Sequence, residues 1–212
     1  ITEIIDELSP NDVMVLVNAL YFKAPWLDPF EPGMTSTARF NGSLGVSDVK
    51  MMSRKAYMNY AEYKGCQLVE LPYEGGRYSM YVLLPPQDID INELISYLSK
   101  DAYETAIKSL QSTEVLLRMP KAKVETSLLL NASLQKMGIR TAFTGAADFK
   151  GISEMGPLSL GLVKQKCYVE ISEKGTEAAA VTSAQIRMTS ARPPQYVRMT
   201  VDRPYLFFIA DT

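Results

Sequence analysis

The chain has no histidine among its 212 residues, and this absence excludes more chemistry than any other feature of the composition. Without an imidazole, the chain can build neither a Ser-His-Asp triad, nor a Cys-His dyad, nor a metal site with histidine ligands. The 24 acidic residues supply many carboxylate pairs, but none of these pairs falls in a recognisable motif. Surface charge is the simplest interpretation of them. We therefore expect no enzymatic activity, no bound metal and no other cofactor.

Cysteine, basic clusters and long apolar runs are also scarce. Cys66 and Cys167 lie far apart and outside any CxxC motif, which excludes a disulfide framework and predicts two free thiols. The net charge is -2 and no dense Lys/Arg run is present, so a nucleic-acid partner is not predicted. The longest apolar run lies near the C-terminus, where Asp202, Arg203 and Pro204 interrupt it. This run is too short to cross a bilayer, so a membrane partner is not predicted either.

Hydrophobic residues make up 47% of the chain, enough for a large core, and their spacing indicates a mixed α+β fold with long strands. Trp26 is expected to anchor the core, and Asn18 to be buried in the first strand. Gly75-Gly76 predicts a hairpin turn, and Gly138 a left-handed helix cap. The expected strands cover 13–22, 68–73, 78–85, 114–120, 163–171 and 205–209. Two short helices are expected over 91–110, with Asp90 or Asn92 as the first cap, and a third over 126–137.

Residues 173–203 form the most informative segment. It runs for about 30 residues between two predicted strands, and loops of that length are usually functional or disordered. Helix propensity favours a short helix over 177–181, and a flexible surface loop is a second interpretation. A third rests on side-chain size, because small residues alternate along the segment with a period of two. A peptide of that kind could enter a sheet as an additional strand, its small side chains facing a packed core. The alternating residues are Thr176, Ala178, Ala180, Thr182 and Ala184.

The sequence Glu-x-Gly-Thr-Glu-Ala-Ala-Ala at 173–180 resembles the reactive-loop hinge of inhibitory serpins. Other segments resemble the same family in the same order along the chain. They are Val17-Asn18-Ala19-Leu20-Tyr21-Phe22-Lys23, Trp26, Phe30, Met51-Met52, Leu71-Pro72-Tyr73, Leu83-Leu84-Pro85, Pro120-Lys121, Met137-Gly138, 147–153 and Asp202-Arg203-Pro204-Tyr205-Leu206-Phe207-Phe208. The resemblance implies the α+β serpin fold, with a large mixed β-sheet, a smaller antiparallel sheet and packed helices. Residues 1–212 would form part of that domain, and 173–203 its hinge and reactive-centre loop.

The resemblance also implies a mechanism and a set of site residues. A serpin is cut by its target protease and then inserts the cut loop into its main sheet while the protease remains covalently attached. The implied partner is a serine, or cysteine, protease held as an acyl complex. The implied ion pair bracketing the hinge is Lys121 with Glu173. The implied hinge residues are Glu173, Gly175, Thr176, Glu177, Ala178, Ala179, Ala180 and Val181.

The scissile bond is implied only by spacing within the family. Counting forward from Gly175 places Thr189 before the cut and Ser190 after it, whereas counting back from Pro204 shifts the position by two or three residues. Met188, Arg187 and Arg192 are the other candidates. Gln165 departs from the family by standing where a histidine is common, which would remove any pH response tied to that histidine.

Two other classes of function are alternatives to protease inhibition. A non-inhibitory serpin acting as a carrier or chaperone is the first alternative, and an enzyme is the second. The chain is expected to need the remaining N-terminal part and last strands of the same serpin as partners, so that 13–22 alone would leave apolar faces open. Secretion is expected for this family. Asn41 and Asn131 each lie in an Asn-x-Ser sequon.

Overall fold

The structure is a computed structural model that describes residues 4–5, 14–152, 158–176 and 196–212. Its strands in chain order are β1 Val15–Tyr21, β2 Ala24–Pro25, β3 Ser36–Gly42, β4 Gly45–Tyr63, β5 Cys66–Pro72, β6 Tyr78–Leu84, β7 Gln111–Pro120, β8 Ala122–Leu129, β9 Leu162–Ile171, β10 Gly175–Thr176, β11 Val197–Thr200 and β12 Leu206–Asp211. Its α-helices are α1 Ile91–Tyr97, α2 Lys100–Lys108 and α3 Asn131–Lys136. The expected mixed α+β fold is confirmed.

The chain divides into two compact units, each built from two separate stretches of sequence. The first comprises Ile1–Phe22 and Lys123–Val169. Its sheet has the order β1-β9-β8, and β1 pairs with β9 in parallel from Val15↔Leu162 to Tyr21↔Tyr168. The two tyrosine rings of that last pair stack with centroids 5.7 Å apart. Strands distant in sequence thus meet directly in this unit.

The second unit comprises Lys23–Ala122 and Glu170–Thr212 and holds the larger sheet. That sheet has seven strands in the order β11-β7-β4-β5-β6-β12, with β3 added on β4, and only β11 and β7 pair in parallel. The long strand β4 pairs with β7 from Met51 to Tyr60 and with β5 from Tyr60 to Tyr63. This single strand therefore joins the two halves of the sheet.

Helices α1 and α2 cover one face of the β5, β6 and β12 half of this sheet. Leu94 of α1 and Ala106 of α2 pack in a buried cluster with Leu68, Tyr81 and Leu83. The helices begin where their cap residues permit. The Asp90 carboxylate accepts a hydrogen bond from Asn92 N, and the Ser99 hydroxyl accepts one from Ala102 N. The expected pair of helices is confirmed, with Asp90 as the first cap.

Other predicted elements are confirmed with small changes of length. The hairpin of β5 and β6 turns through Gly75 and Gly76, whose φ angles of 86° and 67° lie in the left-handed region that glycine favours. Gly138, with φ of 103°, follows α3 as expected. Both cysteines are free thiols. In the described part of the chain, no helix is long and apolar enough to cross a membrane.

The predicted helix over 126–137 is wrong in its first half. Residues up to Leu129 extend β8, and α3 begins only at Asn131. Val124 and Thr126 are β-branched, and an edge position next to β9 gives their backbone hydrogen-bond partners that outweigh helix propensity. Lys166 of β9 also forms a 3.0 Å ion pair with Glu125. Sheet pairing, which local sequence does not reveal, therefore delays the helix.

The apolar faces of β1 lie open in the described part of the chain, as expected for residues 13–22 alone. Leu16, Val17, Leu20 and Tyr21 are exposed, and so is Asn18. Asn18 lies opposite Gln165 in the parallel register instead of deep in a core. The predicted strand is confirmed, whereas the expected burial of Asn18 is not: in the described part of the chain, β1 pairs with β9 alone and both of its faces are largely exposed.

The Asn131 side chain fixes the start of α3 to the start of β9. Its Nδ2 donates to Gly161 O and its Oδ1 accepts from Val163 N, both at 2.8 Å. Asn41 forms one longer bond, from Nδ2 to Asp202 O at 3.4 Å. The two sequon asparagines therefore differ: both Nδ2 groups donate to a backbone carbonyl, but only the Asn131 amide also accepts a backbone hydrogen bond.

We predict that Asn131→Ala lowers the free energy of unfolding by about 1–3 kcal/mol, because it leaves two backbone groups without partners. Asn131→Asp should lose less, since its carboxylate can still accept from Val163 N. Asn41→Ala is the control and should change stability by under about 0.5 kcal/mol. Chemical denaturation of the intact protein measures all three. Equal stability of the Asn131→Ala variant and the parent would contradict the prediction.

Candidate functional site

The predicted hinge begins in a tight turn directly after β9. Ser172 N donates to Gly175 O at 2.9 Å, and the Ser172 hydroxyl donates to the same carbonyl at 2.9 Å. Residues 175–176 then form β10, which pairs antiparallel with β2. We call Ser172–Thr176 the hinge turn. The hinge turn reverses the chain after β9 and leads it into β10.

Gly175 is required at its position for two independent reasons. Its φ of +133° lies in a region that residues with a side chain rarely adopt. A Cβ there would also lie 2.4 Å from Ala24 O and 2.6 Å from Pro25 Cα. The backbones of β10 and β2 therefore approach so closely that only glycine fits.

The backbone after β2 holds the carbonyl groups of the hinge turn. Trp26 N donates to Lys174 O at 3.0 Å, and Phe30 N donates to Glu173 O at 2.7 Å. The Trp26 indole Nε1 donates to Ser172 O at 3.0 Å. Trp26 is only 3% exposed and stacks on Tyr73, with ring centroids 4.5 Å apart and planes 14° apart. The expected core anchor thus also fixes the hinge turn.

Thr176, the first of the alternating small residues at 176–184, is buried. It is 1% exposed, and its Oγ1 lies 3.0 Å from the Tyr73 hydroxyl oxygen. Burial raises the pKa of Tyr73 to about 12, although the hydrogen bond with Thr176 acts in the opposite direction. The phenol therefore keeps its proton at physiological pH, and this buried pair stays neutral and mutually hydrogen-bonded.

Glu173 receives hydrogen bonds from two separate elements. Lys121, just after β7, places its Nζ 2.7 Å from one carboxylate oxygen, and the Thr35 hydroxyl donates to the other at 2.9 Å. The Glu173 side chain is 12% exposed. Burial opposes its ionisation, but the hydrogen bonds from Lys121, from its own backbone and from Thr35 outweigh this effect. The pKa of Glu173 consequently lies below its ordinary value.

The remaining predicted site residues lie outside the part of the chain that the structure describes. These are the hinge residues Glu177, Ala178, Ala179, Ala180 and Val181, and the scissile-bond candidates Arg187, Met188, Thr189, Ser190 and Arg192. Within the described ranges, no group of three or more Cys, Asp or Glu side chains is placed to hold a metal ion. The chain resumes at Tyr196, and β11 follows it at Val197. The structure thus describes one short strand near each end of 173–203, namely β10 and β11.

Sequence reasoning did not identify two residues of the hinge turn's surroundings, Tyr73 and Thr35. Tyr73 lies in the serpin-like segment Leu71-Pro72-Tyr73, but no local pattern in the sequence links it to Thr176, which follows more than a hundred positions later. Thr35 had no local signal, because its partner Glu173 is likewise distant. Only the fold brings these side chains together.

We predict that Glu173→Gln lowers the free energy of unfolding of the intact protein by about 1 kcal/mol at pH 7, since Lys121 is partly solvated. A carboxylate whose pKa falls on folding stabilises the fold above its unfolded pKa of about 4.3. That stabilisation is lost as the pH falls through the lower folded value. The difference between parent and variant should therefore be full above about pH 5 and disappear in stronger acid.

The control for this prediction is Glu31→Gln. Glu31 is exposed and its side chain makes no capping hydrogen bond, so its replacement should leave stability unchanged at every pH. Denaturation curves measured from pH 3 to pH 8 provide the comparison. A Glu173→Gln difference that persists undiminished at pH 3 would show that the ionised carboxylate is not the stabilising group.

Comparison with known proteins places this chain in a family. The sequence model described as "Serpin (serine protease inhibitor)" matches residues 1–212. Similar relatives include Iripin-2 of Ixodes ricinus, 36% identical over 98% of this chain and 52% of its own length. Intracellular coagulation inhibitor 2 of Tachypleus tridentatus is 35% identical over 99% of this chain and 52% of its own length. The chain spans about half the length of these relatives.

Solved structures agree with the sequence comparisons. The native state of the thermophilic serpin tengpin superposes with a TM-score of 0.87 at 30% identity, covering 99% of this chain and 55% of that one. Human thyroxine-binding globulin complexed with thyroxine has a TM-score of 0.87 at 29% identity, with coverage of 98% and 55%. Sequence and fold point to one conclusion: the chain belongs to the serpin family.

Proposed function

We propose that the protein containing this chain is a suicide-substrate inhibitor of serine, or cysteine, proteases. One observation carries the proposal most directly: β9, which leads into the loop, pairs in parallel with β1 and has no strand between them. A loop that reverses after β9 runs antiparallel to β9, and therefore antiparallel to β1 as well. Insertion between them would replace one parallel ladder with two antiparallel ladders.

The energetics favour insertion once the loop is cut. Parallel pairing is slightly less stable per residue than antiparallel pairing, so the seam between β1 and β9 is a favourable place to open. An inserted segment of about 10 residues would add roughly that many backbone hydrogen bonds, each contributing about 1 kcal/mol net. Small residues at 176–184 support this path, because alternate side chains would face the core without steric conflict.

The hinge turn would act as the latch at the start of insertion. Thr176 is already buried against Tyr73, and Gly175 is packed on β2. For the strand to extend, the chain after Thr176 must enter the sheet while Glu173 keeps or exchanges its bonds to Lys121 and Thr35. We assign the ion pair of Lys121 and Glu173 the role of holding this end closed until cleavage.

The chemistry of the trap comes from the protease. The nucleophilic oxygen or sulfur of the protease attacks the carbonyl carbon of the residue before the cut, and the bond to the next nitrogen breaks. The new terminal amine takes the proton, and the loop remains joined to the protease as an ester or thioester. This chain, having no histidine, supplies no Ser-His or Cys-His base for that step. Such a role agrees with a family of inhibitors rather than enzymes.

A carrier function is the second candidate. It is supported by the similarity to thyroxine-binding globulin, a serpin-fold protein solved with thyroxine bound. Inhibition is preferred because 176–181 contains no proline or bulky residue that would block insertion. The compartment is a separate proposal: secretion was expected, whereas one relative is named as an intracellular inhibitor, so the family accommodates both.

We predict that Thr176→Arg or Ala178→Pro converts the inhibitor into a substrate. The arginine would bury an unpaired charge on the inward face of the inserted strand, and the proline would remove a ladder donor. Each variant should still be cut, but SDS-stable complex should fall at least about tenfold and active protease should be released. Ser183→Arg is the matched control, because position 183 lies between the core-facing positions 182 and 184, so its side chain would face outward and inhibition should persist. Full stoichiometric inhibition by both hinge variants would contradict the insertion mechanism.

We further predict that the bond between Thr189 and Ser190 is cut, by a serine protease that accepts small residues. Cleavage after Met188, Arg187 or Arg192 is the alternative. Cleavage after Arg192 would leave slack in the inserted strand, so the acyl-enzyme would be hydrolysed before the protease is trapped. Mass spectrometry of the peptide released from the SDS-stable complex identifies the bond. A peptide beginning at Ser190 supports this assignment, whereas one beginning at Met188 or Pro193 overturns it.

A further inference from the structure

The strand that follows the loop lies beside a group of cations on the open part of the seven-stranded sheet. The registers place Arg198 of β11, Leu116 of β7 and Lys55 of β4 in one row, and Thr200, Arg118 and Ser53 in the next. Tyr57 lies opposite Glu114 in the row on the other side and is 71% exposed. We call this surface the basic face. Its residues are Lys55, Tyr57, Glu114, Arg118, Tyr196 and Arg198.

The basic face carries a local positive charge in a chain whose net charge is -2. Lys55 forms a 3.2 Å ion pair with Glu114, which is the only carboxylate of the basic face. Among the residues that the structure describes, no carboxylate lies within ion-pair distance of Arg118 or Arg198. Within that part of the chain, two guanidinium groups on adjacent strands therefore have no acidic partners of their own.

Tyr196 holds two of the cations in fixed positions. Lys55 Nζ lies 4.4 Å from the centroid of the Tyr196 ring, and Arg198 Cζ lies 5.3 Å from it. An Arg198 guanidinium nitrogen also donates to the Tyr196 hydroxyl at 3.0 Å. The backbone of β11 is also held in place, because Gln67 Nε2 donates to Arg198 O at 3.1 Å. The cations are thus arranged before any partner arrives, which reduces the entropy lost on binding.

The distance to the loop places the basic face within reach of a bound protease. Seven residues from Ser190 to Tyr196 span at most about 25 Å when fully extended. A protease–inhibitor interface covers about 800 Å² on each partner, a patch roughly 30 Å across. Residues after a cut occupy the primed side of a protease cleft, so the primed-side rim of the enzyme would come within reach of β11, the strand that follows Tyr196.

We propose that the basic face is a docking surface for the target protease, and that this protease carries acidic residues beside its primed subsites. The proposal rests on the proposed function, since it requires that a protease cut the loop. It adds a determinant of partner choice outside the loop sequence. Opposite charges at the rim of an interface accelerate encounter more than they strengthen the final complex, so the basic face determines how fast the loop is reached.

The test compares rate constants for loop cleavage in the intact protein, measured as the appearance of cut chain. This readout does not depend on whether cleavage leads to trapping. The variants are Lys55→Glu with Arg198→Glu, and the milder Lys55→Gln with Arg198→Gln in case charge reversal prevents folding. Lys100→Glu with Lys108→Glu is the control, because these exposed lysines of α2 give the same change in net charge away from the basic face.

Two proteases that cut the loop serve as probes, one with an acidic and one with a basic primed-side rim. For the acidic-rim protease we expect the reversal variant to be cut about tenfold or more slowly at low ionic strength. The difference should shrink to under about twofold near 1 M salt, where the screening length is about 3 Å. The neutralised variant should show a smaller loss with the same salt dependence. The control variant should match the parent, and the basic-rim protease should cut the reversal variant as fast or faster.

The outcomes separate this proposal from the proposed function. Parental cleavage rates of both variants with the acidic-rim protease would overturn the docking surface while leaving inhibition intact. A loss of rate that persists at 1 M salt would also overturn it, because that result indicates a structural change. Slower, salt-dependent cleavage without any SDS-stable complex would support the docking surface and contradict the inhibitory mechanism. Resistance of the loop to every protease tested would overturn both.

Discussion

The close approach of β10 to β2 is the constraint on which the hinge turn depends. The carbonyl groups of Ser172, Glu173 and Lys174 each accept a hydrogen bond from Trp26 or Phe30. These bonds use the backbone and one indole, so they need few particular side chains in the turn itself. They do require the backbones of β10 and β2 to lie so close together that only glycine fits at position 175. A short segment with little secondary structure of its own is thereby held by three hydrogen bonds to its carbonyl groups.

In the proposed mechanism, the seam between β1 and β9 must be stable before cleavage and able to open afterwards. Seven paired positions hold it, and the Tyr21–Tyr168 stack closes the end from which β9 continues into the hinge turn. Lys123 lies over the Tyr168 ring at 5.4 Å and adds to the same end. Such contacts are individually weak, so together they can keep the seam closed without preventing a competing strand from replacing the parallel ladder.

The seven-stranded sheet shows two kinds of surface because β4 spans both of its halves. Where β4 pairs with β5, the neighbouring strands lie under α1 and α2, and apolar side chains fill the space. Where β4 pairs with β7, no described helix covers the outer face, and charged residues such as Lys55 occupy it. The uncovered half is also the one that receives β11, the first strand after the loop. Connectivity therefore places an exposed, charged surface beside the end of the loop.

Local signals in the sequence determined much of this architecture. Gly75-Gly76 predicted a hairpin and Asp90 a helix start, because turn conformation and capping depend on residues only a few positions apart. The resemblance to serpins predicted a hinge, which stays a prediction, and an ion pair of Lys121 with Glu173, which the structure contains. What local signals could not reveal is where strands meet. Residues 126–129 carry helix propensity but become part of β8, since pairing with β9 satisfies their backbone.

The tertiary structure alone decided which distant residues share the site. Thr176 is hydrogen-bonded to Tyr73, Glu173 to Thr35, and the Tyr196 ring contacts the Lys55 ammonium. Each pair is separated by more than a hundred residues in the sequence. No periodicity in one sequence encodes such contacts, because they depend on the register of several strands at once. The exposure of β1 depends on non-local packing in the same way: its apolar sequence predicts a strand, but only the elements packed against its two faces determine which side chains are covered. The sequence therefore determined the elements and the hinge chemistry, whereas non-local strand pairing determined what surrounds them.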